Sequence, residues 1–313
     1  MDLEALHGLI LVDKPRHYSS AKVTNCIKSM FHRRGFKSRD IPKIGHGGTL
    51  DPFATGLLVV LIGHGVRFAT THLGGDKTYE GVIRFGQKTQ TGDCTSEVMA
   101  EGGPIENFED LEKAAASFCS EVYYQIPPMH SAKKVDGKRL FKLARQGQVV
   151  EREPVACVIK NFNLTWINDF ECAFEVTCSA GTFIRVLAED LAQKIHTVAH
   201  LKSLRRTKSG NKSIDQAWTL EQLDEHWRQQ KCWSTSPAFY PVEDLIVGWP
   251  SYPCDLLTAQ SIRHGRNDVL LVLGHVMPPE ASIVAMMIGD KLLGLAEKNE
   301  QGLWKYKKVL EGR

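Results

Sequence analysis

Six apolar residues in a row, Leu57-Leu58-Val59-Val60-Leu61-Ile62, follow almost directly on a loop of glycines that ends in one acid, Ile44-Gly45-His46-Gly47-Gly48-Thr49-Leu50-Asp51-Pro52. A short continuous apolar run bounded by turn residues reads as a buried strand. The arrangement therefore holds Asp51 on a tight loop braced by a sheet, which suits a working carboxylate better than a solvated surface acid. On this pattern alone a structural turn is the commoner outcome, because Asp-Pro also opens ordinary turns.

The surrounding elements define the fold class. Ser19 and Ser20 can cap a helix in which Val23, Cys26, Ile27, Met30 and Phe31 fall at helical spacing. Tyr79, Gly81, Ile83 and Phe85 alternate with polar neighbours, as in a half-exposed strand. Ile184, Leu187, Ala188, Leu191, Ala192 and Ile195 give a helix over 183–195 a buried stripe. Strands and helices do not alternate regularly, which predicts an α+β fold with a mixed sheet rather than a doubly wound one. Helix, then irregular chain with a break at Ser234-Thr235-Ser236-Pro237, occupies 220–244. Beyond Trp249-Pro250 the chain restarts with a helix over Leu256 to Arg263 and strands at Val269 to Leu273, Ile283 to Ile288 and Leu292 to Ala296. The expected division is 1–245 and a small β-rich unit at 246–313.

At 313 residues the chain has ample material for a core, and no apolar run approaches the ~20 residues that a membrane helix needs. Met1-Asp2-Leu3-Glu4 carries acids where a targeting peptide carries bases, so a cytoplasmic protein with no membrane partner is expected. The eight cysteines show no Cys-x-x-Cys pair, and reduced thiols are the default. A net charge of +3 says little, but its distribution says more. Between 133 and 145, Lys133, Lys134, Lys138, Arg139, Lys142 and Arg145 face Asp136 alone, interleaved with Leu140, Phe141 and Ala144. Arg33, Arg34, Lys37 and Arg39 form a second cluster, and Lys202, Arg205, Arg206 and Lys208 a third. Such runs are usually solvated faces; three of them flanking one loop suit a phosphate-tracking surface. His196 and His200 have zinc-compatible spacing on a possible helix continuation, but no Glu follows the first histidine and no third ligand is near, so no metal site is expected.

The Asp51 loop resembles the catalytic loop of the TruB family of tRNA pseudouridine synthases, and the likeness continues in order. Leu9-Ile10-Leu11-Val12-Asp13-Lys14-Pro15 resembles the family's opening strand and Asp76-Lys77-Thr78-Tyr79 its second motif. Ile126-Pro127-Pro128-Met129 through Gly147 resembles its RNA-gripping insertion, about 126–150. Gly181-Thr182-Phe183-Ile184-Arg185 and Leu204-Arg205-Arg206 complete the set, so that roughly residues 8 to 212 are covered. The resemblance implies a mainly antiparallel sheet of the pseudouridine synthase type and a PUA-like RNA-binding unit at 246–313, where Lys305, Lys307 and Lys308 with Trp304 and Tyr306 would suit an RNA end.

It also implies the chemistry. Uracil leaves ribose through N1, turns, and rejoins through C5. Nothing is oxidised or added, so no metal or redox cofactor is expected. One ionised carboxylate in a dry pocket and an unstacked base are needed. By resemblance Asp51 is that carboxylate. Arg185 pairs with it, where spacing alone suggests a surface pair with Glu189. Tyr79 stacks on the uracil, where an aromatic at a strand start is otherwise core. Phe183 and Leu204 are pocket walls. His46, otherwise a loop histidine, fills the gap left by the extruded nucleotide, and Arg67 contacts phosphate.

Departures from the family pattern leave the carboxylate untouched. Gly47 replaces a common threonine, His130 a usual tyrosine, Lys133 an apolar residue and Gln90 a common acid, with Asp93 retained. The expected substrate is the tRNA T-arm at position 55, with no obligatory protein partner. The rivals are a guide-dependent synthase of the dyskerin kind acting on ribosomal RNA, and a tRNA chaperone that keeps the fold.

Overall fold

Thr55–Ile62 runs through the middle of a nine-stranded sheet whose principal order is Ile159–Asn168, Glu171–Cys178, Lys77–Phe85, Ala199–Ser209, Thr55–Ile62, Gly8–Lys14 and Phe239–Pro241. The computed structural model describes residues 6–68, 75–135, 137–230, 232–264 and 266–310. The acidic N-terminus, Asp136 and Gly265 lie outside the described residues. Along this order every pair is antiparallel except Ala199–Ser209 against Thr55–Ile62, which is parallel with Arg205 opposite Thr55 and Arg206 opposite Gly56. The mixed, mainly antiparallel α+β architecture matches the expectation.

Strand side chains alternate between faces, so an unbroken apolar run needs apolar cover on both. Leu58, Val60 and Ile62, with Ile10 and Val12, enter the main core beneath helices Ser20–His32, Phe108–Ser120, Ile184–Lys194 and Leu220–Gln230. Leu57, Val59 and Leu61, with Leu9 and Leu11, enter a second core that takes Val242, Leu245 and Ile246, then Ala285, Leu292, Leu295 and Leu310 from the end of the chain.

The C-terminal unit has a four-stranded sheet, Ser251–Pro253, Ile283–Ile288, Lys291–Lys298 and Trp304–Val309, with its own core of residues such as Ala259, Ile262, Val284 and Met286. One expectation here is corrected: the segment read as a strand at Val269 to Leu273 is the helix Asp268–Leu273. Only Leu270 and Leu273, one helical turn apart, are buried, while Leu271 and Val272 stay exposed. The amide of Gly274 closes the turn on the Leu270 carbonyl at 2.9 Å.

The histidine pair separates for a related reason. His196 sits past the end of its helix at a φ of 58°, and His200 lies on the next strand with Nδ1 2.9 Å from the Gln87 carbonyl. Among the described residues no cluster could hold a metal ion, and no helix is long and apolar enough to cross a membrane.

Candidate active site

The glycine loop is pinned from three sides. The Ser20 hydroxyl, buried at the start of its helix, accepts from the Leu50 amide at 2.9 Å and donates to the Leu50 carbonyl at 3.2 Å. Lys14, fully buried at the end of its strand, donates to the Tyr18 carbonyl at 2.6 Å and reaches the Pro52 carbonyl at 3.5 Å. The Ala54 amide closes a turn on the Asp51 carbonyl at 3.1 Å. The chain then enters its strand through Gly56, where φ is +100° and a Cβ would stand 2.3 Å from the Arg206 carbonyl oxygen. Only glycine passes there without strain.

Asp51 faces a cavity of about 470 Å³ whose walls include Leu50, Lys77, Tyr79, Ser131, Lys133, Phe183, Arg185, Leu204 and Arg206. Lys77 and Tyr79 share one face of their strand, two residues apart. Arg185 Nε is 2.9 Å from Asp51 Oδ2. Its other two nitrogens are also committed, Nη1 to the Thr91 carbonyl at 2.6 Å and Nη2 to the His130 carbonyl at 2.8 Å. Glu189 pairs instead with Lys88 at 3.0 Å, which removes the surface-pair reading of Arg185.

The electrostatics follow from this packing. Burial pushes the Asp51 carboxyl above the usual carboxylate range, Arg185 pulls it back, and the second acid Asp93 adds to the upward push. Asp51 keeps 32 % of its side-chain surface open, yet it lines a protein-walled cavity and the protein packed around it makes desolvation the largest influence. Burial also raises the Tyr79 phenol, opposed by the charge of Arg206 and a hydrogen bond from it. Burial pushes Lys14 and Lys77 both down to about 8; the Asp51 charge opposes the shift at Lys14, and the Arg206 charge adds to it at Lys77. The buried hydroxyl of Ser131 lines the cavity and has no hydrogen-bond partner among the described residues.

Asp51, Tyr79, Phe183, Arg185, Leu204 and Lys133 thus meet in one cavity. His46 stands on the strand Ile44–His46, just outside these walls, with Nδ1 buried and unpartnered. Burial, then Arg206 and Arg139, lower its pKa from 6.5, so the ring is neutral at pH 7. Arg67 lies elsewhere, with its guanidinium donating to the Val309 carbonyl of the C-terminal unit.

Arg206 departs from the surface role expected of it. It is 1 % exposed, donates to the Leu57 carbonyl at 2.8 Å and the Gly48 carbonyl at 3.3 Å, and forms a cavity wall. Its neighbour Arg205 forks onto Asp13 at 2.8 and 3.1 Å. In the second basic cluster, Arg33 pairs with Asp224 at 2.5 Å and Arg34 donates to the Trp227 carbonyl at 2.9 Å, while Lys37 and Arg39 stay exposed. Lys134, Lys138, Arg139 and Lys142 line an outward-facing basic hollow, and Arg145 stacks on Phe141 at 5.6 Å. In the C-terminal run, Lys305 and Lys307 converge on Glu297 at 3.4 and 2.7 Å.

Sequence reasoning assigned no role to Lys14, Lys77 or Gln125. The clue for Lys14 was a lysine ending a strand whose first five residues carry no charge, and for Lys77 its position two residues from Tyr79.

Comparison with known proteins agrees with this geometry. Residues 33–184 match the N-terminal domain of the TruB family of pseudouridylate synthases, and residues 185–247 match the tRNA pseudouridylate synthase B C-terminal domain. The tRNA pseudouridine synthase B of Cupriavidus metallidurans is 37% identical over 306 residues, 95% of this chain and 92% of that protein. That of Burkholderia pseudomallei is 34% identical over 316 residues, 100% of both chains. The protein of the same name from Psychrobacter cryohalolentis is 43% identical over 219 residues, but the match spans only 69% of this chain and 60% of that longer relative. Among solved structures, a Cbf5–Nop10–Gar1 complex contains a chain that superposes with a TM-score of 0.71 at 20% identity, covering 100% of this chain and 87% of that one, a likeness of fold. Fold, cavity and sequence matches converge, and the chain belongs to the TruB family of pseudouridylate synthases.

Proposed function

We propose that the protein is a cytoplasmic tRNA pseudouridine synthase that isomerises uridine at position 55 of the T-arm, without a cofactor or an obligatory protein partner. The observation that carries the reading is Asp51 on the cavity floor with Arg185 Nε at 2.9 Å and the Tyr79 ring in the same cavity. In the reaction the N1–C1′ bond breaks, C1′ bonds to C5, and the C5 proton leaves as N1 gains one. Asp51 must be ionised to act on the ribose or the base, and Arg185 favours that charge.

Tyr79, Phe183 and Leu204 supply flat or apolar walls for a base taken out of its stack. Ser131 offers a free hydroxyl to a polar edge of that base. Neutral His46 is suited to stacking where the nucleotide was, since an uncharged ring loses little solvation there. Phosphate contacts fall to the outward lysines and arginines of 133–145, and the C-terminal unit, 246–313, is read as a PUA-like RNA-binding domain. The 1–245 segment is then the catalytic domain.

The test is incubation of purified protein with an unmodified tRNA transcript, followed by pseudouridine mapping at nucleotide resolution. One modified uridine in the T-arm is the expected result. Activity that requires a guide RNA or accessory proteins would favour the guided rival, and RNA binding without any isomerisation would favour the chaperone.

A further inference from the structure

We infer that Gln125 is a positioning residue for the isomerisation, fixing the cavity wall Phe183 and the helix that presents Arg185, and tying both to the 126–150 insertion; this rests on the function proposed above. Gln125 is 1 % exposed and ends the short strand Tyr123–Gln125. Its Oε1 accepts from the Phe183 amide at 2.8 Å, and its Nε2 donates to the Phe183 carbonyl at 3.0 Å. One planar amide therefore holds both backbone groups of a single residue, as a neighbouring strand would.

That residue needs holding. Phe183 occupies the N-cap of Ile184–Lys194 without a side-chain cap, so its backbone orientation depends on outside partners. Two residues later Arg185 places a cation in the first turn, where the helix dipole disfavours it. A small rotation of this helix start would move the Phe183 ring and the Arg185 guanidinium together.

Gln125 also sits at the neck of the insertion. Its strand pairs with Val155–Cys157, and the two segments flank residues 126–154, with Gln125 opposite Val155. Nε2 also approaches the Tyr123 hydroxyl at 3.2 Å, and that hydroxyl donates to Asp190, two turns along the same helix. The insertion touches the helix start a second time through the His130 carbonyl on Arg185. Movement of the RNA-gripping segment is thereby transmitted to the wall and the cation of the cavity.

The experiment compares wild type, Gln125→Leu and Gln125→Glu in the full chain. It follows turnover on tRNA transcript, tRNA affinity, and hydrogen exchange at the Phe183 amide. The leucine variant should lose roughly 10- to 100-fold in kcat, the scale of a reacting group displaced by about an ångström, with tRNA affinity unchanged and faster exchange at Phe183. An ionised glutamate can accept from the Phe183 amide but cannot donate to its carbonyl, and protonation restores the donor. The turnover of Gln125→Glu relative to wild type at the same pH should therefore rise as pH falls, a signature that generalised loosening would not give. Wild-type kcat in both variants, or a flat ratio for the glutamate variant, would overturn the inference. Wild type that modifies no tRNA would instead overturn the proposed function, and exchange at Phe183 would still report whether the clamp exists.

Discussion

Arg185 is buried more deeply than the acid it serves: its side chain is 5 % exposed against 32 % for Asp51, across a 2.9 Å contact. The cation forms the back of the pair and the carboxyl faces the cavity. With Nη1 and Nη2 also bonded to the Thr91 and His130 carbonyls, all three nitrogens of Arg185 are engaged and the guanidinium is held in one orientation. A preorganised cation thus opposes the burial that would otherwise keep Asp51 protonated.

Asp51→Asn is expected to abolish pseudouridine formation while leaving tRNA affinity nearly intact, because phosphates dominate binding. The same variant should melt no lower than wild type at pH 7. The folded carboxyl has a pKa above the ordinary 3.8, so the native state binds the proton more tightly than the unfolded chain. That contribution to stability is complete below 3.8 and is lost as pH rises through the folded value. Melting temperatures across pH 3 to 8 check this, and a lower one for the variant at neutral pH would contradict the sign.

Arg185→Met should slow turnover by about 10²-fold or more and move the acid limb of the pH–rate profile upward. Burial already holds the carboxyl above 3.8 in the wild type despite the guanidinium. Removing the guanidinium leaves burial and Asp93 unopposed by it. Single-turnover rates against pH give the answer, and an unmoved limb would separate Arg185 from the ionisation of Asp51.

Gly56→Ala should destabilise the protein by about 2–4 kcal/mol. It combines a φ of +100° with a methyl 2.3 Å from the Arg206 carbonyl oxygen, and neither strand backbone can yield without breaking the parallel ladder. Denaturant titration measures the loss, and a change below about 0.5 kcal/mol would mean that the junction relaxes freely.

Lys138→Gln with Arg139→Gln should weaken tRNA binding and reduce the slope of log affinity against log salt by about 1 to 2. Both side chains are exposed on the rim of the basic hollow. At saturating RNA, kcat should be nearly unchanged. An unaltered salt slope would show that these charges face solvent in the complex.

The elements with strong periodicity were legible in advance: the Ser20–His32 and Ile184–Lys194 helices, the buried Thr55–Ile62 strand and the alternating Lys77–Phe85 strand. Asp51, Tyr79, Phe183, Arg185 and Leu204, expected to share a pocket by family resemblance, do so. The failures have a common cause. Val269 to Leu273 is apolar at every position, a run too short for its period to declare itself, and tertiary packing chose the helix. Arg205 and Arg206 look alike in sequence, but adjacent strand residues face opposite ways, so one forks onto Asp13 at the surface and the other is interior. Gln125 gave no signal because its partner is a backbone 58 residues away.

The sheet at the centre of this protein is greasy on both sides, and one side is roofed by the last quarter of the chain. Cutting the polypeptide near residue 245 would lay bare Leu9, Leu11, Leu57, Val59 and Leu61 as a contiguous water-repelling panel behind the Asp51 loop. The C-terminal unit is therefore a structural lining of the sheet, whatever else it binds. A shortened version would be expected to clump or to borrow a substitute roof from a second copy of itself.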